Sequence, residues 1–234
     1  RNSLAETEPL LRRALAIDEK AYGPEHPEVA TDLNNIATLL MQTNRLSEAE
    51  PLLRRALAIT EKAFGPEHPG VAIKLNNLAQ VMKATQSWAD TEPLMRRALA
   101  IDEQAFGPNH TNIATRLNNL ATLLQATNRP SEAESLMRRA LAIDERSLGP
   151  EHPRVAICLN NLAQLLQATQ RRAESEPLMT RVISIFEKSS GPDHPNVSAG
   201  LNNLATLLVS TNRLTESEPL MRRALAIDEQ AFGP

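Results

Sequence analysis

The sequence predicts an all-α solenoid in which about eleven helices form antiparallel pairs. The motif Leu33-Asn34-Asn35 returns at intervals of 42 residues, beginning at Leu75, Leu117, Leu159 and Leu201. Gly-Pro pairs follow the same interval, at Gly23, Gly65, Gly107, Gly149, Gly191 and Gly233, whereas Gly70 and Gly200 lie outside it. Self-similarity at a fixed period is typical of stacked-repeat proteins. Only 3% of the residues are aromatic, so we expect a core of Leu, Ile and Ala, which favour helices.

We interpret the chain as one solenoid, and as a segment of a longer repeat array. Residues 1–24 carry only the second helix of a repeat. Five full repeats follow, at residues 25–66, 67–108, 109–150, 151–192 and 193–234. In each full repeat the helix-breaking residues predict two segments, which we call helix A and helix B.

Helix A of the first full repeat is predicted over about 27–42. Leu33, Ile36, Ala37 and Leu40 follow the i, i+3, i+4, i+7 spacing of one apolar helix face. A proline is tolerated at the first helical position, as at Pro27. The polar connection at 43–45 is short, so helix B returns antiparallel.

Helix B is predicted over about 47–64, with Ser47 as its N-cap. Glu50 and Arg54 form an i,i+4 pair, which recurs in the other B helices except where Thr180 replaces the arginine. Gly65 is expected to end the helix in a left-handed conformation.

The order of small and large apolar residues resembles the pattern of the tetratricopeptide repeat. The matching positions are Leu33, Ile36, Ala37, Leu40, Ala49, Leu53 and Ala56. The 42-residue period with Leu-Asn-Asn-Leu-Ala, Glu-Ala-Glu-Pro-Leu and Gly-Pro-Glu-His-Pro is similar to the kinesin-light-chain subtype of that family. The resemblance implies a right-handed superhelix whose A helices line the concave side and bind peptides there. Leucines replace the family's frequent aromatic residues at Leu40 and Leu46.

By position, the resemblance implies that one set of polar side chains lines the concave groove. These predicted peptide-binding residues are Asn34, Asn35, Thr38, Asn76, Asn77, Gln80, Asn118, Asn119, Thr122, Asn160, Asn161, Gln164, Asn202, Asn203 and Thr206. No column of Lys and Arg accompanies them, so we do not expect a clamp for a terminal carboxylate.

Two roles are open for the asparagines. An amide offers both a donor and an acceptor, so a column of them can pair with the backbone of an extended peptide. Alternatively, the amides bond to adjacent helices and hold the repeats in register. We expect the Asn34 series to favour ligands and leave the Asn35 series open between the two roles. Ile73, Lys83, Arg116 and Ile157 are the neighbours expected to give specificity.

Other chemistry-bearing residues favour structural interpretations. His26, His68, His110, His152 and His194 occupy one loop position each, one repeat apart. Zinc ligands lie about 2 Å from the ion, and side chains one repeat apart do not converge that closely. We therefore assign the histidines to the entry of helix A. Cys158 has no basic partner nearby in sequence and is interpreted as a packing residue. The Arg-Arg pairs on the B helices are expected to form a solvated, salt-bridged surface, with docking of an acidic partner as the alternative.

The composition excludes several function classes. Lys and Arg number 25 against 28 Asp and Glu. The chain therefore has no excess of positive charge with which to bind nucleic acid or an anionic membrane. No apolar run is long enough to span a membrane. No phosphate loop, carboxylate pair or metal motif is present, so we predict no enzyme activity, no cofactor and no metal. The single cysteine suits a reducing compartment, and we expect the cytoplasm.

Two functions remain. The first is a non-enzymatic protein–protein interaction scaffold that binds an extended peptide or partner segment in the asparagine-lined groove. The alternative is a structural spacer or self-assembly module of a larger multidomain signalling protein. Terminal B helices leave apolar faces without a neighbouring repeat, so self-association through an end is also a hypothesis.

Overall fold

The computed structural model describes residues 2–233, with side chains from Glu6 onward, and within this range the chain forms eleven α-helices. The half repeat supplies α1 (Asn2–Tyr22). The A helices are α2 (Pro27–Gln42), α4 (Pro69–Ala84), α6 (Thr111–Ala126), α8 (Pro153–Ala168) and α10 (Pro195–Ser210). The B helices are α3 (Leu46–Phe64), α5 (Trp88–Phe106), α7 (Pro130–Leu148), α9 (Arg172–Ser190) and α11 (Leu214–Phe232). The all-α prediction is confirmed.

The helices group into two compact units, residues 1–109 and residues 110–234. Unit 1 contains α1 to α5 and unit 2 contains α6 to α11. Within each unit every A helix packs against the B helix that follows it, and each B helix also packs against the next A helix. The predicted stripe of Leu33, Ile36, Ala37 and Leu40 is fully buried. The helical periodicity therefore identified the core correctly.

The turn between helices A and B spans the three residues 43–45 that the sequence predicted. Asn44 adopts a left-handed φ of 59°. Its N–H donates to the carbonyl of Met41, and the N–H of Arg45 donates to that of Leu40, which is the Schellman arrangement that ends many helices. The N-cap of α3 is consequently Arg45, without a side-chain capping bond. The prediction of Ser47 as the N-cap was wrong, because Ser47 already lies inside the helix.

The turn between helices B and A depends on glycine. Gly65 has φ 86° and ψ 160°, a region that side chains with a Cβ rarely adopt. The positive φ was expected, but the ψ value differs from the left-handed helical cap that the sequence suggested. The backbone N–H of Gly65 still donates to the carbonyl of Glu61 and so ends α3.

The five histidines cap the A helices. In each repeat the Nδ1 atom of the histidine accepts the backbone N–H two residues later, at 3.0 to 3.3 Å. This bond satisfies one of the donors that the first helical turn leaves without an intrahelical partner. The expected structural role at the entry of helix A is thus confirmed.

Arginines connect consecutive B helices on the outer surface. Arg55 pairs with Glu19 at 2.7 Å, and its Nη2 atom also donates to the carbonyl of Pro24 at 2.9 Å. Equivalent ion pairs join Arg97 to Glu61, Arg181 to Glu145 and Arg223 to Glu187. The expected salt-bridged surface is present, and these pairs bridge neighbouring repeats.

Replacing His68 with Ala should lower the free energy of unfolding by about 1 kcal/mol, because a side-chain N-cap is lost. Chemical denaturation followed by circular dichroism measures this change. His68→Asn is the matched control and should retain most of the stability, since Asn is also a good cap. Equal losses for both variants would contradict the capping role.

Candidate functional site

The A helices approach one another within each unit. In addition to contacts with its neighbours in sequence, α2 contacts α4 in unit 1 and α6 contacts α8 in unit 2. The backbones of α3 and α5, and of α7 and α9, do not approach as closely, and long side chains join these B helices, as in the Arg97–Glu61 and Arg181–Glu145 ion pairs. We call the exposed side of the A helices the inner wall, because the resemblance to the tetratricopeptide repeat implies that these helices line the concave side.

All fifteen predicted groove residues lie on A helices. Six are exposed, namely Asn35, Thr38, Gln80, Gln164, Asn202 and Thr206. The other nine are half-buried, namely Asn34, Asn76, Asn77, Asn118, Asn119, Thr122, Asn160, Asn161 and Asn203. The structure thus offers polar atoms along this wall, and peptide binding by them stays a prediction.

Hydrogen bonds between amides connect adjacent A helices. The Nδ2 atom of Asn77 donates to Oδ1 of Asn34 at 2.8 Å in unit 1. The same bond joins Asn203 to Asn160 at 3.0 Å in unit 2. We call such a bond an amide rung. Each rung takes one residue from the Asn34 series and one from the Asn35 series, so hydrogen bonding does not separate a structural series from a ligand series.

One rung in unit 2 is replaced by a different set of contacts. The Nδ2 atom of Asn118 donates to Sγ of Cys158 at 2.9 Å, and the thiol donates to Oδ2 of Asp144 at 3.5 Å. Since the sulfur uses its proton on Asp144, it can only accept from Asn118, and this fixes the orientation of the amide. The Oδ1 atom of Asn118 is buried and accepts no hydrogen bond within the described residues. A buried acceptor without a donor is costly.

Burial governs the ionisation of this cluster. Asp144 is almost fully buried, and desolvation raises the pKa of its carboxyl, while Arg154, with Nη2 at 3.2 Å from Oδ1, opposes the shift. Burial also raises the pKa of the Cys158 thiol to about 11. The thiol therefore stays protonated at neutral pH, which is unfavourable for a nucleophile. Cys158 is a hydrogen-bonding part of the interior as well as the packing residue expected from sequence.

A cavity of about 200 Å³ lies beside the replaced rung. Asn118, Asn161, Arg154, Thr115 and Ile157 are among its lining residues. Arg154 is held in place by its Nη2 atom, which donates to the carbonyl of Thr111 and to Oγ1 of Thr115. Most of the residues that line this cavity are polar, and it lies between α6 and α8.

A second, smaller hollow of about 120 Å³ lies between α8 and α10. Its lining is mainly apolar and includes Ile157, Val182, Phe186, Ala199 and Gly200. Asn160 and Asn203, which form a rung, also line it. Ile157 contributes to both cavities, so the polar cavity and the apolar hollow are neighbours along one wall.

The four neighbours expected to give specificity differ in exposure. Ile73 and Ile157 are 49% and 53% exposed. Lys83 and Arg116 are half-buried, and burial lowers the pKa of the Lys83 amine. Both isoleucines therefore offer apolar surface on the inner wall.

Sequence reasoning missed the part that Asp144, Arg154, Phe186 and Gly200 play in lining the two cavities. A signal existed, because Phe186 and Gly200 stand at repeat positions that are polar or charged in most other repeats. No group of His, Cys, Asp and Glu within the described range is arranged to hold a metal ion. No described helix is long and apolar enough to cross a membrane.

Comparisons with known proteins agree with this architecture. The family model described as tetratricopeptide repeat matches residues 2–62, 33–89, 70–146, 132–187 and 159–230. No curated protein matches the chain. A crystal structure of nearly identical TPR-like repeats of a putative kinesin light chain from Podosopora anserina is 25% identical, with a TM-score of 0.77. That match covers 89% of this chain and 99% of the other.

Two further solved structures share the fold at lower identity. BtubC (BKLC) from P. vanneervenii is 21% identical with a TM-score of 0.80, and the match covers 100% of this chain and 91% of that one. YrrB, a TPR protein described as having an unusual peptide-binding site, is 16% identical with a TM-score of 0.55, and the match covers 92% of both chains.

The rung between Asn34 and Asn77 should contribute about 1 kcal/mol to stability, as a typical intramolecular hydrogen bond does. A double-mutant cycle of Asn34→Ala and Asn77→Ala, followed by urea denaturation, measures this coupling. Asn202→Ala is the matched control, because its side chain is exposed and forms no rung in the described chain. It should change the free energy of unfolding by less than about 0.5 kcal/mol. Strictly additive effects of the two single variants would contradict the rung.

Proposed function

Because the chain belongs to the tetratricopeptide-repeat family, we propose that it is a non-enzymatic protein–protein interaction scaffold that binds an extended peptide or partner segment on the inner wall of its A helices. Members of this family are generally interaction scaffolds. The observation that carries the proposal is the exposure of polar and apolar side chains along the inner wall of each unit. Thr38, Gln80, Gln164 and Thr206 are exposed there beside half-buried amides.

The chemistry of the wall suits a peptide backbone. An extended peptide presents an N–H and a carbonyl at every residue, and an asparagine or glutamine amide can pair with both. The amides that form rungs keep further acceptor and donor capacity, because each amide oxygen has two lone pairs and each amide nitrogen has two hydrogens. The wall therefore supports orientation of a peptide without reading its side chains.

Side-chain recognition requires other residues. Ile73 in unit 1 and Ile157 in unit 2 offer apolar surface to a ligand, and burying such surface is favourable by about 25 cal/mol per Å². Lys83 and Arg116 are positioned in sequence to add charge selectivity near the same wall. These four residues are our candidates for specificity.

Nucleic acid and membranes are not expected partners. The formal net charge is -3, and many arginines already pair with glutamates on the same surface, as Arg54 does with Glu50 at 2.8 Å. Nucleic-acid binding needs basic groups that face phosphates. The buried thiol of Cys158 is compatible with a reducing compartment, and we propose the cytoplasm.

The second candidate function is a spacer or self-assembly module of a larger signalling protein. Met221 on α11 is 43% exposed, whereas its counterpart Met137 on α7 is fully buried. Such an apolar face can accept a second copy of the chain. Sedimentation velocity distinguishes this candidate: concentration-dependent dimers that Met221→Glu abolishes would favour it, and a monomer at all concentrations would remove it.

Peptides selected from a pool of random twelve-residue sequences should bind the inner wall of the intact chain. Each selected peptide, labelled with fluorescein, should bind at least about ten-fold more weakly to Thr38→Arg or Thr206→Arg, because a long cation then occupies the wall and apolar burial is lost. Fluorescence anisotropy measures the Kd values.

Thr180→Arg is the matched control for these variants. Thr180 is exposed on the B helix α9, and other repeats carry arginine at this position. The same chemical change on the outer surface should therefore leave both the fold and the Kd unchanged. Peptides that bind both inner-wall variants normally but lose affinity for Thr180→Arg would overturn the proposed site.

A further inference from the structure

Two B helices, α1 and α11, carry almost the same sequence. Residues 8–22 and residues 218–232 differ at three pairs of positions only, namely Leu11 and Met221, Lys20 and Gln230, and Tyr22 and Phe232. The first and third of these pairs remain apolar. A surface that accepts α1 is therefore expected to accept the equivalent residues of α11.

Opposite faces of this shared sequence are covered in the two helices. In α1, Leu11 and Leu15 pack against the core of unit 1, whereas Ile17 is 56% exposed. In α11 the pattern is reversed, because Ile227 is buried in the core of unit 2 and Leu225 is 58% exposed. Ile227 is the counterpart of Ile17, and Leu225 is the counterpart of Leu15. The free face of α11 is thus the face by which α1 docks.

A carboxylate on that face also corresponds. Glu8 accepts hydrogen bonds from Arg12 of its own helix at Oε1 and from Arg45 of the next repeat at Oε2, the latter at 2.5 Å. Glu218, its counterpart on α11, binds Arg222 of its own helix through Oε1 in the same way. No arginine of another repeat binds Glu218 within the described residues. The helix α11 therefore presents the group that Arg45 binds in α1.

A second carboxylate repeats this correspondence. Glu19 of α1 pairs with Arg55 of α3 at 2.7 Å. Its counterpart on α11 is Glu229, which is exposed. The free face of α11 thus combines exposed apolar side chains with carboxylates at the two positions that bind arginines in α1. The surface of α2 and α3 that holds α1 is complementary to this face in apolar pattern and in charge.

The two helices differ in how firmly their own repeats hold them. The helix α1 packs on α2, whereas α11 packs along the whole of its paired helix α10. An isolated helix has only marginal stability in water, so a released α1 regains conformational entropy. The helix α11 stays folded on α10 while it docks. Exchange of α11 for α1 therefore covers the free face of α11 and leaves the surface of α2 covered.

We propose that α11 of one copy of the chain displaces α1 from α2 and α3 of a second copy and so joins the copies head to tail in the register of the repeats. This inference goes beyond the scaffold function. It rests on the second candidate, self-assembly, and gives that candidate a defined surface. The contact joins two different surfaces, so it produces rings or open chains of copies and does not stop at a dimer. In each copy α1 is the competing occupant.

Loosening α1 in the full chain tests the exchange. Leu15→Glu places a charge where α1 contacts the core and should release this helix. Leu10→Glu is the matched control, because Leu10 is 66% exposed on the same helix. Circular dichroism should show that Leu15→Glu loses no more helical signal than α1 supplies. Sedimentation velocity over a wide range of concentration measures association.

Leu15→Glu should associate at least about ten-fold more strongly than the intact chain, because removing a competing occupant raises the fraction of binding-competent copies. It should form species larger than a dimer, whereas Leu10→Glu should behave like the intact chain. Adding Met221→Glu should abolish the association, since Met221 takes the place of Leu11 in the contact. A folded Leu15→Glu variant that stays monomeric would overturn the proposal.

A charge exchange tests the same contact without disturbing the core. Arg45→Glu and Glu218→Arg should each weaken association, because each puts like charges at the contact. The chain that carries both substitutions should associate at least about three-fold more strongly than the intact chain. Its new pair attracts α11, whereas Glu8 of α1 now meets a carboxylate at position 45. Absence of this rescue would overturn the proposal, and this test decides if Leu15→Glu unfolds more than α1.

The outcomes separate the exchange from the functions proposed above. Association that Met221→Glu abolishes, but that Leu15→Glu and the charge exchange leave unchanged, would keep the self-assembly candidate and overturn the exchange of helices. Monomers in every variant would remove both. Binding of peptides to the inner wall is measured independently, so either result leaves the scaffold function standing.

Discussion

The structure depends on the packing of each helix pair against the next pair at a constant register. A single pair buries one apolar face internally and leaves another exposed, so it is stable only when a neighbour covers that face. Leu33, Ile36 and Leu40 are fully buried by this arrangement. Amide rungs on the inner wall and pairs such as Arg55–Glu19 on the outer surface join adjacent repeats on both sides. Within each unit, such contacts help to set the position of one repeat against the next.

The same register leaves the side chains around the A helices free to differ between repeats. A repeated interior leaves little freedom in the core, whereas the exposed face of the A helices can change without disturbing the stack. Two departures from the repeat lie where a B helix packs against the next A helix: Cys158 replaces a charged residue, and Gly200 lies opposite Phe186. Each departure alters a contact between one B helix and the next A helix, 14 residues apart at Asp144 and Cys158. The result is a buried acceptor beside an apolar hollow, both in unit 2.

Periodicity in the sequence was sufficient to predict the helices, their order and the buried stripe, because burial repeats with the helical period. The limits of α2 agree with the prediction, and α3 begins one residue earlier than expected. That difference arises from hydrogen bonds of Asn44 and Arg45 to the end of α2, which composition does not reveal. The hydrogen-bond partners of the asparagines could not be predicted from the sequence either, because a rung joins two helices through residues 43 positions apart and depends on the distance between those helices. Phe186 and Gly200 were detectable as departures from the repeat, but their effect depends on packing.

Deleting one complete repeat tests most directly the claim that identical docking surfaces hold the chain together. Removal of residues 151–192 places α10 directly after α7. In this shortened chain α10 can pack on α7 as α8 does in the intact chain. We predict cooperative unfolding in urea and an unchanged helical signal per residue, with a lower free energy of unfolding. Removal of 151–171 instead places one B helix next to another and should abolish cooperative folding. Loss of folding in the first deletion, or equal stability of the two, would contradict the account.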